Sequence, residues 1–137
     1  MMLSKRHIWA FVLCCYFATV LFLCLAKPQQ VPGLEMTFWG IEADKIAHFL
    51  MFLPYPAIAY RAFRPAARER WRHIIVLAII FAAGVGAATI TEQLQGLSAY
   101  RSYETHDLYA DVLGIWCMTI IISLLIIFNK QNRETDL

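Results

Sequence analysis

The sequence predicts an all-α integral membrane protein, a bundle of four transmembrane helices with both termini on the cytoplasmic side. Three observations support this. Of the 137 residues 60% are hydrophobic, and the mean hydropathy is +0.55. The charged residues, 16% of the chain, gather in short stretches between four long apolar runs. Lysine and arginine fall mostly to one side of those runs. A chain of this length forms a single domain, residues 1–137, with too little polar sequence to wrap four apolar runs in water. The bilayer is therefore its solvent.

The first helix is expected over about residues 8–26, where Ile8 to Ala26 follows Lys5 and Arg6 and can cross a hydrocarbon core of roughly 30 Å. A signal peptide would share the basic start, and Cys24-Leu25-Ala26 loosely resembles a cleavage site. The run is longer than a usual signal core and no lipobox precedes Cys15, so an uncleaved anchor is expected. Residues 27–43 contain Pro28, Pro32, Gly33 and Gly40 and read as an outer loop, with Phe38 and Trp39 at the interface. Asp44 is the expected N-cap of a second helix over 44–60, in which Pro54 and Pro56 give a kink.

A basic cytoplasmic loop over 61–70 follows, and the stretch from Arg61 to Arg72 sets five arginines against Glu69. The third helix is expected over about 71–92, an outer loop over 93–110, the fourth helix over about 111–128, and then a polar tail. Nine of the twelve Lys and Arg residues lie at the N-terminal end, in the arginine stretch or in the tail; Lys27, Lys45 and Arg101 are the other three. By the positive-inside rule this places both termini in the cytoplasm of a multi-pass protein of the bacterial inner membrane. The acidic residues distribute the opposite way: Glu35, Glu42, Asp44, Glu92, Glu104, Asp107 and Asp111 fall on the outer face.

Cys14, Cys15, Cys24 and Cys117 lie in apolar runs and read as small buried hydrophobes, with no CxxC spacing and no disulfide framework. Trp9, Trp39 and Trp71 sit where belt residues belong, and His7 and His73 are interface residues without a chemical role. Topology and anionic headgroups account for the arginine loop, so nucleic acid is not an expected partner.

Three polar clusters fall at one depth. Asp44, Lys45 and His48 open the second helix, with Asp44 and His48 one turn apart on one face. Glu92 and Gln95 end the third. Asp107 and Asp111 open the fourth, on the face of Gly114, and Arg101 and His106 lie in the connecting loop. Gly84, Ala88 and Glu92 recur every four residues, a small-residue seam that turns Glu92 into the bundle. A carboxylate at that depth needs a partner, for which Arg101, Lys45 and His48 are available.

The series Asp44-Lys45-x-x-His48-Phe49, Glu92-x-x-Gln95, Arg101 and Asp107-x-x-x-Asp111-x-x-Gly114 resembles the VanZ-like membrane protein family over the second to fourth helices. Family members often carry Asn at the position of Asp111, so this chain adds a carboxylate. The resemblance implies a small multi-span protein of a family whose founding member is associated with resistance to teicoplanin, a glycopeptide that acts on cell-wall precursors at the outer membrane surface. It implies no established reaction.

The expected function is an outward-facing polar pocket for the headgroup of a membrane lipid, a lipid-linked envelope precursor or the lipoglycopeptide itself. Arg101, Lys45 and His48 would donate to phosphate or hydroxyl groups, and Glu92, Gln95, Asp107 and Asp111 would accept from sugar hydroxyls. Alternatively the same residues neutralise one another and pin the helices, leaving an interaction protein with a structural polar cluster. A third reading is an enzyme acting on phosphorylated or acylated envelope lipids, with His48 as base oriented by Asp44 or Glu92 and Arg101 stabilising charge. No residue stands out as nucleophile, so no catalytic residue is assigned. His48, Glu92, Asp107 and Asp111 have the chemistry of a Zn or Mn site but no diagnostic spacing such as HExxH, and neither metal nor cofactor is expected. Four helices without an internal repeat leave little room for a transport pathway unless several copies assemble, and the oligomeric state stays open.

Overall fold

A computed structural model of the chain describes residues 5–26, 33, 36–66, 69–99 and 102–134, without the side chains of 129–134. Five helices and one two-stranded hairpin make up these residues: α1 (Lys5–Leu25), β1 (Thr37–Phe38), β2 (Ile41–Glu42), α2 (Ala43–Phe52), α3 (Tyr55–Phe63), α4 (Arg70–Gly96) and α5 (Thr105–Glu134). Three helices are long and apolar enough to cross a membrane: α1, α4 and the Thr105–Phe128 part of α5. The protein is thus mostly helical and of multi-pass membrane type.

The expected second helix is present as α2 and α3, broken between Phe52 and Tyr55. Pro54 and Pro56 lack the N–H groups that would close the ladder there, but Leu53 N–H still reaches Phe49 O (3.0 Å) and Ile58 N–H reaches Pro54 O (3.2 Å). The backbone bends without unwinding. The Tyr16 hydroxyl of α1 donates to Met51 O beside the break, so a neighbouring helix is tied to the backbone at the bend.

Polarity is distributed as lipid solvent requires. Val20, Cys24, Phe52, Tyr55, Ala59, Ile80, Ala88 and Ile115 form the buried core, while Phe11, Phe22, Ile79, Ile90, Trp116 and Leu125 are exposed. Hydroxyls within the long helices close on their own backbone: Thr89 on Val85 O, Thr119 on Ile115 O and Ser123 on Thr119 O, each at 2.8 Å. Of the cysteines only Cys24 is buried, and Cys14 and Cys15 are exposed, which corrects the expectation of four buried thiols. Adjacent residues of a helix point in different directions, and α1 buries the stripe that includes Val20 and Cys24.

The helices meet at two chemically distinct ends. One gathers the start of α1, the end of α3 and the start of α4, where Arg6 Nη2 donates to Arg64 O (2.6 Å) and Arg61 lies 4.9 Å from the Trp9 ring centroid. The other gathers the end of α1, the starts of α2 and α5 and the end of α4, and it is acidic.

Two boundaries shift at the acidic end. Helix α4 runs past Glu92 to Gly96, so Gln95 stays helical, and α5 starts at Thr105, which places Asp107 and Asp111 inside it. The expected loop over 93–110 is accordingly short. Within the expected loop over 27–43, a hairpin pairs Thr37 with Glu42 and Phe38 with Ile41. Its turn holds Trp39 at φ 54° and Gly40 at φ 83°, positive at both central positions as a type I′ turn requires. Pro28 and Pro32 lie outside the described residues.

Candidate functional site: a buried carboxylate–imidazole cluster

Helix α2 begins directly where the hairpin ends. Its N-cap is Glu42, in extended conformation and without a side-chain cap bond; Asp44 lies inside the first turn and is not the cap. From this start Asp44, Lys45 and His48 face α5, and His48 is buried. The approach is close because α5 carries Gly114: a Cβ there would stand 2.5 Å from Phe49 O and 3.1 Å from Leu53 N. Backbone lies on backbone, and one turn earlier this brings Asp111 against His48. Helix α4 adds Glu92 along the expected seam, with Gly84, Ala88 and Glu92 all buried.

His48 Nδ1 lies 2.9 Å from Asp111 Oδ1, and Nε2 lies 3.7 Å from Asp107 Oδ2. One imidazole therefore faces two carboxylates of α5, and its bonded partner is Asp111, where the sequence suggested Asp44 or Glu92. Glu92 Oε1 accepts the backbone N–H of Glu104 at 2.6 Å. Glu92 and Asp111 are fully buried, and Asp107 is 4% exposed. Glu92 Oε2, Asp107 Oδ1 and Asp111 Oδ2 are buried without a hydrogen-bond donor among the described residues. An acceptor left in that state costs about 1–3 kcal/mol, and more when charged.

At the rim, Lys45 pairs with Glu42 and reaches Glu104 Oε2 at 3.5 Å and Asp107 Oδ1 at 3.8 Å. The hydrogen bond and the charge of Lys45 hold the Glu42 carboxyl below its ordinary range. Lys45 is the only Lys or Arg at this end among the described residues; Arg101 and Lys27 lie outside them. Two groups of donor atoms converge within 4.8 Å of one another: Asp44, His48 and Asp107, and His48, Glu92 and Asp111.

Two expected members are elsewhere. Gln95 is buried, but its Nε2 donates to Cys24 O of α1 at 3.0 Å, so it ties α1 to α4. His106 is exposed and stacks edge-on to Tyr109 at 6.4 Å. Sequence reasoning missed Glu42 and Glu104 as rim residues. The i, i+3 spacing of Glu42 and Lys45 was a usable signal for the first, whereas Glu104 takes part through chain reversal between α4 and α5, which has no local signature. The Thr91 hydroxyl, also buried here, donates to Ala88 O at 2.8 Å.

Chemically, the cluster can accept hydrogen bonds, hold a proton on an imidazole between carboxylates, or ligate a cation. Compared with protein-family models, curated proteins and solved structures, the chain matches none.

Proposed function

We propose that this chain is a VanZ-like protein of the bacterial cytoplasmic membrane whose acidic end faces outward and binds the headgroup of a lipid-linked envelope precursor or a lipoglycopeptide, with an effect on glycopeptide (teicoplanin) resistance. Its four-helix bundle has both termini in the cytoplasm. Arg6, Arg61, Arg64, Arg70 and Arg72 lie towards the basic end, as the positive-inside rule asks of the cytoplasmic face, and the carboxylates lie at the other.

The observation that carries this reading is the continuity of an apolar and a polar surface. Met36, Phe38, Trp39 and Ile41 are exposed on the hairpin, and the chain passes within four residues of Ile41 to Asp44 and Lys45 at the rim. An amphipathic ligand presents that sequence of surfaces, acyl chain then headgroup. Because Lys45 is shared by Glu42, Glu104 and Asp107, the rim suits hydroxyl- and amine-bearing sugars better than a bare phosphate.

A second reading has its own support: the His48–Asp111 and Gln95–Cys24 bonds tie α2 to α5 and α4 to α1, as a purely structural network would. Rim substitutions separate the two. Lys45→Ala and Glu104→Gln touch groups that are partly exposed at the rim, and are expected to keep membrane abundance while removing the change in teicoplanin susceptibility. Native mass spectrometry of the wild type should retain a glycolipid that both variants lose. If susceptibility follows abundance in every variant and no lipid is retained, the cluster is architecture.

A further inference from the structure

We infer that the buried layer beneath the rim is a divalent transition-metal site, with His48, Glu92 and Asp111 as ligands and Asp107 positioning the imidazole. The inference does not depend on a lipid ligand.

Charge is the first reason. Glu92, Asp107 and Asp111 bring three carboxylates to a layer whose one buried basic group among the described residues is His48. Lys45 is 3.8 Å from Asp107 but partly exposed, and Glu42 and Glu104 share it. A protonated His48 would still leave negative charge in excess around Glu92 and Asp111. Carboxylates this deep are paired or coordinate metal.

Unmet bonding is the second, independent reason. Among the described residues Glu92 Oε2 and Asp111 Oδ2 have no donor, although both residues are completely buried and Glu92 Oε1 and Asp111 Oδ1 are already engaged. A network evolved only to pin helices would meet these oxygens with N–H or O–H groups. A cation meets them at once.

Donor geometry is the third. One atom each from His48, Glu92 and Asp111 lies within 4.8 Å of the others. The 2.9 Å between His48 Nδ1 and Asp111 Oδ1 fits a hydrogen bond, and it also fits two ligands on one ion, since donors about 2.1 Å from a metal at a right angle are about 3.0 Å apart. With Asp107 Oδ2 on the Nε2 side, an Nε2–H directed at Asp107 leaves the Nδ1 lone pair for the metal, the carboxylate–imidazole–metal order of many sites. One imidazole and two carboxylates suit Zn2+ or Mn2+ better than Ca2+, which takes six to eight oxygens. The donors come from three helices, so no sequence spacing announces them.

Elemental analysis of the full chain, purified in detergent without chelator, tests this. About one Zn2+ or Mn2+ per chain is expected. Chelation should lower the Tm and re-addition of Zn2+ or Mn2+, but not Mg2+, should restore it. X-ray absorption at the metal edge should show one imidazole with oxygen ligands and no sulfur. Glu92→Gln should remove the metal and the metal-dependent part of the Tm, and Asp107→Asn should weaken affinity on the order of 10- to 100-fold. His7→Ala, at the opposite end, should leave metal content unchanged. Substoichiometric metal in a folded wild type with a chelator-insensitive Tm overturns the inference, as does loss of metal in His7→Ala. A Glu92→Gln variant that keeps full metal content also overturns it. If protons close the network instead, Glu92→Gln folds with wild-type stability and no preparation carries metal.

Discussion

Helices α2 and α5 touch through backbone, whereas α1, α3 and α4 touch through aromatic side chains. Gly114 lies under Phe49 O and Leu53 N, with His48 and Asp111 bonded one turn away. In the other region Phe17 and Tyr55 meet with ring centroids 5.4 Å apart, and the Tyr55 hydroxyl donates to Ile80 O at 3.0 Å. A backbone contact has no rotamer through which to relax, so its geometry is all or nothing, while an aromatic contact can yield by degrees. The rigid contact is the one that sets the register of the carboxylate–imidazole cluster. In a membrane, where apolar burial between helices supplies little driving force, such close approach is a main source of association.

Adding one methyl group should break the rigid contact. Gly114→Ala is expected to cost about 1–3 kcal/mol or more, because the new Cβ meets a carbonyl oxygen and not a movable side chain. Gly86→Ala is the control: nothing lies within 4 Å of a Cβ there, and the gain in helix propensity should leave stability unchanged or raised by about 0.5–1 kcal/mol. Denaturant titration in micelles measures both. Equal behaviour of the two variants would remove the distinction between the regions.

The side-chain contact should respond more gently. Tyr55→Phe keeps the ring against Phe17 and removes only the bond to Ile80 O, an expected loss of about 0.5–1.5 kcal/mol. The same titration checks it. A loss as large as that of Gly114→Ala would mean that the hydroxyl, and not ring packing, holds α3 to α4.

What could be read from the sequence follows the same division. Gly84, Ala88 and Glu92 share a buried face because helical periodicity is local information, and the Asp44/His48 and Asp107/Asp111 pairs were legible for the same reason. The choice of Asp111 as partner of His48 was not legible: it depends on how far α5 slides along α2, which Gly114 decides in three dimensions. The start of α5 at Thr105, ahead of the Asp107/Asp111 pair, was not legible: Thr105 and His106 are exposed and carry no periodicity of their own, and the burial of Asp107 and Asp111 against α2 fixes these first turns. The hairpin was missed because a tryptophan at positive φ contradicts turn chemistry, which favours Asn or Gly at that place. The Arg101 expectation falls outside the described residues.

The smallest expected effect separates the rim from the cluster beneath it. Glu42 is exposed and its pairing with Lys45 lowers its pKa, so the pair contributes when the carboxylate is ionised, and the contribution is lost as pH falls through the lowered value. Solvent screens such a pair. Glu42→Gln should therefore leave the Tm at neutral pH within error, with any difference vanishing in high salt or in acid, where wild type and variant converge. A pH-independent loss of stability in Glu42→Gln would instead tie the rim to the buried layer, through the Lys45 ammonium that lies between Glu42 and Asp107.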